Sequence, residues 1–147
     1  MLPESLTLEV VTPERRVIRS SAVEVQLPGL DGYLGILPGH APLLTTMGDG
    51  ELSYREGSTT HYAVVLGGYT EVLSERVIVL AEAAERAEEI DRDRAQKAKQ
   101  EAEKILATPN TPEEQAGPAR LAVARAELRL KVAARGSGGG SQAAHSS

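Results

Sequence analysis

Four charged side chains stand where they can act together on an anion. In the segment EIDRDRA, Asp91 and Arg94 are three residues apart beside the small Ala95, and in RLAVARAELRLK, Arg125 and Arg129 are four apart. At those spacings the members of each pair share one helix face. Brought together, the faces would offer forked guanidiniums for bidentate contact with phosphate oxygens, and a carboxylate to accept hydrogen bonds from the rest of a ligand. The same spacing equally serves an ordinary interhelical set of salt bridges, and both readings stand at this point.

Other chemistries find less material. The histidines are His40, His61 and His145, none within a local triad motif, and there is no cysteine, so thiolate nucleophiles, disulfides and Cys/His metal sites drop out. The stretch GYLGILPGHAPLL, residues 32–44, is rich in glycine, but it matches neither a P-loop nor the G-x-G-x-x-G of a dinucleotide fold. Its glycines allow turns with positive φ, its prolines stiffen the exit, and Leu37, Leu43 and Leu44 supply apolar surface. Such a corner suits a contact with another protein, and His40 reads as a structural or interface histidine.

The elements that must position these groups change period along the chain. From Leu6 to Ala81 the pattern is mostly period two, with Leu6, Leu8 and Val10 on one face, and Val23, Val25 and Leu27 on another. Turn signals recur at Thr12, Pro28, Pro38, Gly48, Arg55 and Leu73, which predicts short strands in a β-sandwich or barrel. After Ala81 the period becomes helical: the run AEAAERAEEIDRDRAQKAKQEAEKILA, residues 81–107, lacks Gly and Pro and pairs Glu82 with Arg86, Glu88 with Arg92 and Asp93 with Lys97 at i, i+4, predicting one long helix from Glu82. Pro109 and Asn110 break it; Thr111, Pro112 and Glu114 supply an N-cap, a first-position proline and a capping-box acid for a second helix, expected over 119–134. The domains are therefore drawn as 1–81, 82–135, and a Gly/Ser tail over 136–147.

The two helices predict an antiparallel hairpin with a poor seam. One stripe offers Ala95, Ala98, Ala102 and Ile105, the other Leu121, Ala124, Leu128 and Val132. Burying alanine removes little apolar area from water, so the hairpin is expected near the margin of stability and able to open. Elsewhere, with neither Phe nor Trp among 147 residues, the core must be built from Leu, Val, Ile and Ala. The formal charge of -5, with both signs interspersed, offers no basic footprint for nucleic acid. The start lacks a signal-peptide pattern and no stretch suffices for a membrane span, so the expectation is a cytosolic, soluble chain that meets a membrane only through another protein.

In order and spacing, GYLGILPGHAPLLT, GGYTEV, VIVLAEAAERAEEID and RAELRLKVA resemble the epsilon subunit of bacterial F-type ATP synthase, over Leu6 to about Ala134. The resemblance implies a β-sandwich of about ten strands followed by a two-helix hairpin, in a non-catalytic subunit of the central rotor stalk. It implies as partners the gamma subunit, the ring of membrane c subunits, and the alpha and beta subunits of the catalytic head. The place implied is the cytoplasmic face of a bacterial inner membrane. By position, Tyr33 is assigned to the side facing the ring and His40 to the side facing gamma, with Leu37, Pro38, Gly39 and Leu43 in the same contact region. The family's hairpin hinders ATP hydrolysis when extended and permits rotation when folded. No cofactor is required, but in some members ATP binds the folded hairpin through [IL]-D-x-x-R-A, here Ile90, Asp91, Arg94 and Ala95, with Glu85, Arg125 and Arg129 at matching places. One position departs: Glu101 stands where the best-known sites carry a further arginine.

Two other classes compete with a rotor subunit. A free-standing ATP-binding sensor would bind its ligand without a partner. An enzyme with paired carboxylates, of glycosidase type, is disfavoured because no Phe or Trp is present to stack on a sugar.

Overall fold

The computed structural model describes residues 2–146, with side chains described through residue 136. Ten strands come first: β1 (Leu6–Val11), β2 (Arg16–Ala22), β3 (Glu24–Gly29), β4 (Gly32–Ile36), β5 (Leu43–Thr46), β6 (Gly50–Glu56), β7 (Thr59–Leu66), β8 (Tyr69–Val72), β9 (Arg76–Leu80) and β10 (Ala83–Arg86). They form two five-stranded sheets, ordered β2-β1-β9-β8-β5 and β10-β7-β6-β3-β4. A 3-10 turn (Ala87–Glu89) leads to α1 (Arg92–Ala107) and α2 (Glu113–Ser146). The expected sandwich and hairpin are both present.

Alternation places the core where the period-two pattern put it. Leu6, Leu8, Val10, Val25, Leu27, Leu52, Val77 and Val79 are all 0% exposed between the sheets. Aliphatic side chains of similar size fill most of this thin layer, joined by Met47 and by the ring of Tyr54, 9% exposed. Strand β7 breaks the alternation, and its last four residues, Ala63 to Leu66, are all buried. Ala63 and Val65 face the inter-sheet core, whereas Val64 and Leu66 join Ala87, Ile90, Val132 and Ala133 in a second cluster beneath α2. A strand buried on both faces reads as a continuous apolar run, and AVVL is that run.

The long helix expected from Glu82 begins ten residues later. Ala83–Arg86 instead pair antiparallel with β7, from Ala83 opposite Leu66 to Arg86 opposite Ala63. The free backbone edge of β7 overrides the helical propensity of AEAAER, because unpaired N–H and C=O groups there cost more than a few tenths of a kcal/mol per residue of propensity. The sandwich thus extends past residue 81, and of the three charge pairs only Asp93 and Lys97 lie on a helix.

The second helix also differs from expectation. It starts at Glu113 and carries Pro118 inside it. Thr111 caps the other helix: its hydroxyl is shared between the carbonyls of Ile105 and Thr108, at 3.0 and 2.7 Å, so it closes the end of α1. Asn110 makes the intervening turn at φ 59. The seam is alanine-built as expected, though in different register: Ala95 and Ala102 on α1 and Ala116, Ala119 and Ala126 on α2 are buried, while Ile105 and Leu121 are 41% and 47% exposed. Of the tail drawn over 136–147, everything beyond 136 lies outside the described side chains.

A carboxylate fastens the root of the hairpin. Glu89 accepts from Arg15 Nη1 and Nη2 at 3.1 and 2.8 Å, from Arg86 Nη2 at 2.8 Å and from the Arg86 amide at 3.1 Å. The Arg15 bonds, with those of Arg86, hold its pKa at about 2, below its ordinary 4.5. A depressed carboxylate stabilises the fold above its unfolded pKa and loses that contribution as pH falls through the folded value. Glu89→Gln should therefore cost about 2 kcal/mol at pH 7, after discounting for the exposed arginines. The difference from the parent should shrink between pH 4.5 and 2. Urea unfolding across that window checks it; a pH-independent difference would show that Glu89 acts by packing.

Candidate functional site

Between β10, the first turns of α1 and one face of α2 lies an open cavity of about 570 Å³. Strand β10 lends it Ala83 and Glu85, two apart and so on one face of the sheet. Helix α1 contributes Asp91, Arg94, Ala95 and Ala98, and α2 contributes Pro118, Leu121, Ala122, Arg125, Ala126 and Arg129 at helical spacing. The wall is divided: alanines, Pro118 and Leu121 on one part, charges on the other.

Each charged group has a definite status. Asp91 is the N-cap of α1, its Oδ1 accepting from the Arg94 amide at 3.1 Å. Arg129 Nε donates to Glu85 Oε1 at 2.8 Å, and Arg125 Nε to Asp49 Oδ2 at 2.9 Å, with Glu82 farther from Arg125 at 3.9 Å. Among the described residues, the Arg94 guanidinium has no hydrogen-bond or ion-pair partner. The lining therefore holds three guanidiniums against two carboxylates, one guanidinium uncommitted. That composition receives an anion at one end and an apolar, planar group at the other.

The structure brings together six of the seven residues singled out for this site. The exception is Ile90, which is 8% exposed and packs under the hairpin with Val64, Leu66 and Val132. Glu101 does not line the cavity. Among the described residues Asp91, Arg94, Arg125 and Arg129 make no salt bridge between the helices, because Arg125 and Arg129 tie α2 to the sandwich; an interhelical ion pair joins Lys99 to Glu127 instead, at 3.5 Å. Asp49 escaped the sequence reading; its GDG setting marks a turn and nothing more. Among the described residues no group of three His, Cys, Asp or Glu side chains is placed to hold a metal.

The segment 32–44 joins the edge strands of the two sheets, β4 of one and β5 of the other. Gly39 turns it at φ +87, and its amide donates to Ser74 O at 2.7 Å. His40 Nδ1 sits 2.6 Å from Ala41 O and has no carboxylate or hydroxyl partner among the described residues, so the ring braces the loop. Tyr33 and Leu37, 54% and 55% exposed, stand about 13 Å apart near the two ends of β4. Leu43 is joined by Leu44 and Leu73 in an exposed apolar patch around a shallow hollow. Leu44 belongs to the apolar surface read from the sequence, whereas Leu73 was missing from it. The signal for Leu44 was the pair Leu43–Leu44 on a four-residue strand, more apolar surface than one core face needs.

Residues 5–87 match the model of the ATP synthase delta/epsilon chain beta-sandwich domain, and residues 88–134 that of the same chain's long alpha-helix domain. The chain belongs to the ATP synthase delta/epsilon family. Between them the two matches cover most of the chain, and the boundary after residue 87 agrees with a sandwich that includes β10. The ATP synthase epsilon chain of Solibacter usitatus is 47% identical over 132 residues, 90% of this chain and 98% of that one. The epsilon chain of Koribacter versatilis is 50% identical over 107 residues, 73% and 75% of the two chains. A chain in the mitochondrial ATP synthase of Euglena gracilis shares the fold of this delta/epsilon member at TM-score 0.75 and 22% identity, covering 87% of this chain and 81% of that one. No helix among the described residues is long and apolar enough to cross a membrane.

Proposed function

We propose that this chain is the non-catalytic epsilon subunit of a bacterial F-type ATP synthase, coupling the gamma subunit to the c-ring and braking ATP hydrolysis through its hairpin. The carrying observation is the contrast between two kinds of packing. The sandwich has a closed aliphatic core, whereas the hairpin is joined internally by alanines and held to the sandwich by one small apolar cluster and partly exposed ion pairs. Such an attachment is weak enough to be exchanged for another surface, as a brake with two positions requires. Its place is the cytoplasmic face of the inner membrane, reached through the c-ring.

The exposed apolar patch favours a partner-bound subunit over a free-standing sensor. Replacing Leu37 and Leu44 together by Glu should leave the isolated fold intact, since both point into solvent, and weaken gamma binding by tenfold or more, roughly the effect of losing a hot spot. A gamma titration returning the parental dissociation constant would place the contact elsewhere.

The cavity serves a regulatory ATP. Arg94, Arg125 and Arg129 would hold the phosphates, with Glu85 and Asp91 accepting hydrogen bonds from the remainder and the alanine wall receiving the base. The uncommitted Arg94 is the observation that supports this fit.

A further inference from the structure

The stripe of α2 that faces the sandwich continues beyond the cavity. Leu128, Val132 and Arg135 recur at spacings of four and three, on the face that carries Arg125. Arg135 makes a forked contact with Glu51, Nε to Oε2 at 3.1 Å and Nη2 to Oε1 at 3.2 Å. Its guanidinium also lies over the Tyr62 ring, 4.7 Å from the centroid. Glu51 on β6 and Tyr62 on β7 are diagonal neighbours on the outer face of one sheet, because Tyr62 pairs with Ser53, two residues along. The Glu51 side chain is only 11% exposed, against 28% and 32% for the acids that Arg125 and Arg129 engage, while the Arg135 side chain is 38% exposed.

The next residue, Gly136, fits the same place for a different reason. A Cβ there would lie 3.0 Å from the Ala87 carbonyl carbon and 3.1 Å from the Glu88 amide nitrogen, contacts with backbone tighter than ordinary packing. A larger residue would push the helix a few tenths of an ångström off the turn from which the hairpin departs. The chain thus leaves the sandwich at Ala87–Glu89, runs out along α1, returns along α2, and touches its own root at Gly136.

Resting on the two-position hairpin proposed above, we propose that Arg135 and Gly136 form a clasp that holds it in the folded position. The fork, the stacked ring and the backbone approach act together where α2 passes back over the root of the hairpin, about two turns beyond Arg129. Once they part, Val132 and Ala133 beneath them lose their cover, while the arginines at the cavity, nearer the middle of the helix, still hold. Lysine cannot replace Arg135, because it has neither the fork nor the flat face.

Hydrogen exchange on the full chain tests this. In Arg135→Ala the amides of residues 126–134 should exchange roughly tenfold faster while those of β1 and β9 keep their rates. Gly136→Val should act in the same direction, Arg135→Lys should recover little, and Arg135→Glu combined with Glu51→Arg should recover part of the protection. Unchanged α2 exchange in both Arg135→Ala and Gly136→Val would overturn the clasp. So would a loss of protection spread equally over the sandwich.

Discussion

A chain ending at Ile90, assembled with gamma and the catalytic head, should hydrolyse ATP at least about fivefold faster than the same complex with the full chain, the lower end of ordinary allosteric coupling. The stopping point matters. Strand β10 and the Glu89 clamp remain, so the sandwich keeps the edge partner of β7 and the anchored 3-10 turn. A chain ending where the helical composition begins, at Ala81, would expose the edge of β7 and confuse a missing brake with a damaged scaffold. Loss of the hairpin uncovers Val64 and Leu66, so a small fall in unfolding stability should accompany the gain in rate. Equal hydrolysis rates for the two complexes would remove the brake.

Among the cavity arginines, Arg94→Ala should cost the most ATP affinity, tenfold to a hundredfold, against a few-fold for Arg125→Ala. The ordering follows from what each guanidinium gives up. Arg94 has no partner to leave, so a phosphate gains the full value of a charge-assisted hydrogen bond, about 1.5–3 kcal/mol. Arg125 already donates to Asp49, and a phosphate there gains only the difference between two anions. Arg94→Ala should also leave hairpin docking unchanged, whereas Arg125→Ala loses a tie to the sandwich. Titrations of the three proteins with ATP, followed by calorimetry, read the ranking directly. Saturable binding with Arg125→Ala the weaker would mean that Asp49 does not compete; no saturable binding in the parent would mean that the cavity serves another purpose.

How far the sequence carried the structure depended on whether local pattern and tertiary context agreed. In β1, β3 and β9 they did: alternation of aliphatic and polar residues placed Leu8, Val25 and Val77 in the core without further information. In β10 they disagreed. AEAAER is a good helix by composition, and only the open edge of β7, contributed by residues 59–66, makes it a strand. The alanine seam was legible as a weak contact but not in its register, because alanines recur so often along both helices that several stripes look alike.

The cavity residues were found by resemblance and spacing, and the structure adds the roles that spacing hides. Asp91 caps α1, a role visible in the preference of Asp for that position once the helix start is known. Arg125 and Arg129 reach Asp49 and Glu85, 76 and 44 residues away in sequence, contacts that no local pattern encodes. Ile90 looked like part of a ligand motif and is a packing residue; its apolar character said so.

The central claim is that the hairpin has two positions and is only lightly held in the folded one. Because the chain has no cysteine, Ser58→Cys in the β6–β7 turn and Glu103→Cys on the exposed side of α1 can carry a pair of distance labels without other changes. Both positions are exposed, and among the described residues neither makes an ion pair. Measured in the assembled complex, the labels should report two separations, with the one belonging to the folded hairpin rising as ATP reaches millimolar levels. A single separation, the same with and without ATP and the same as in the isolated chain, would contradict the account.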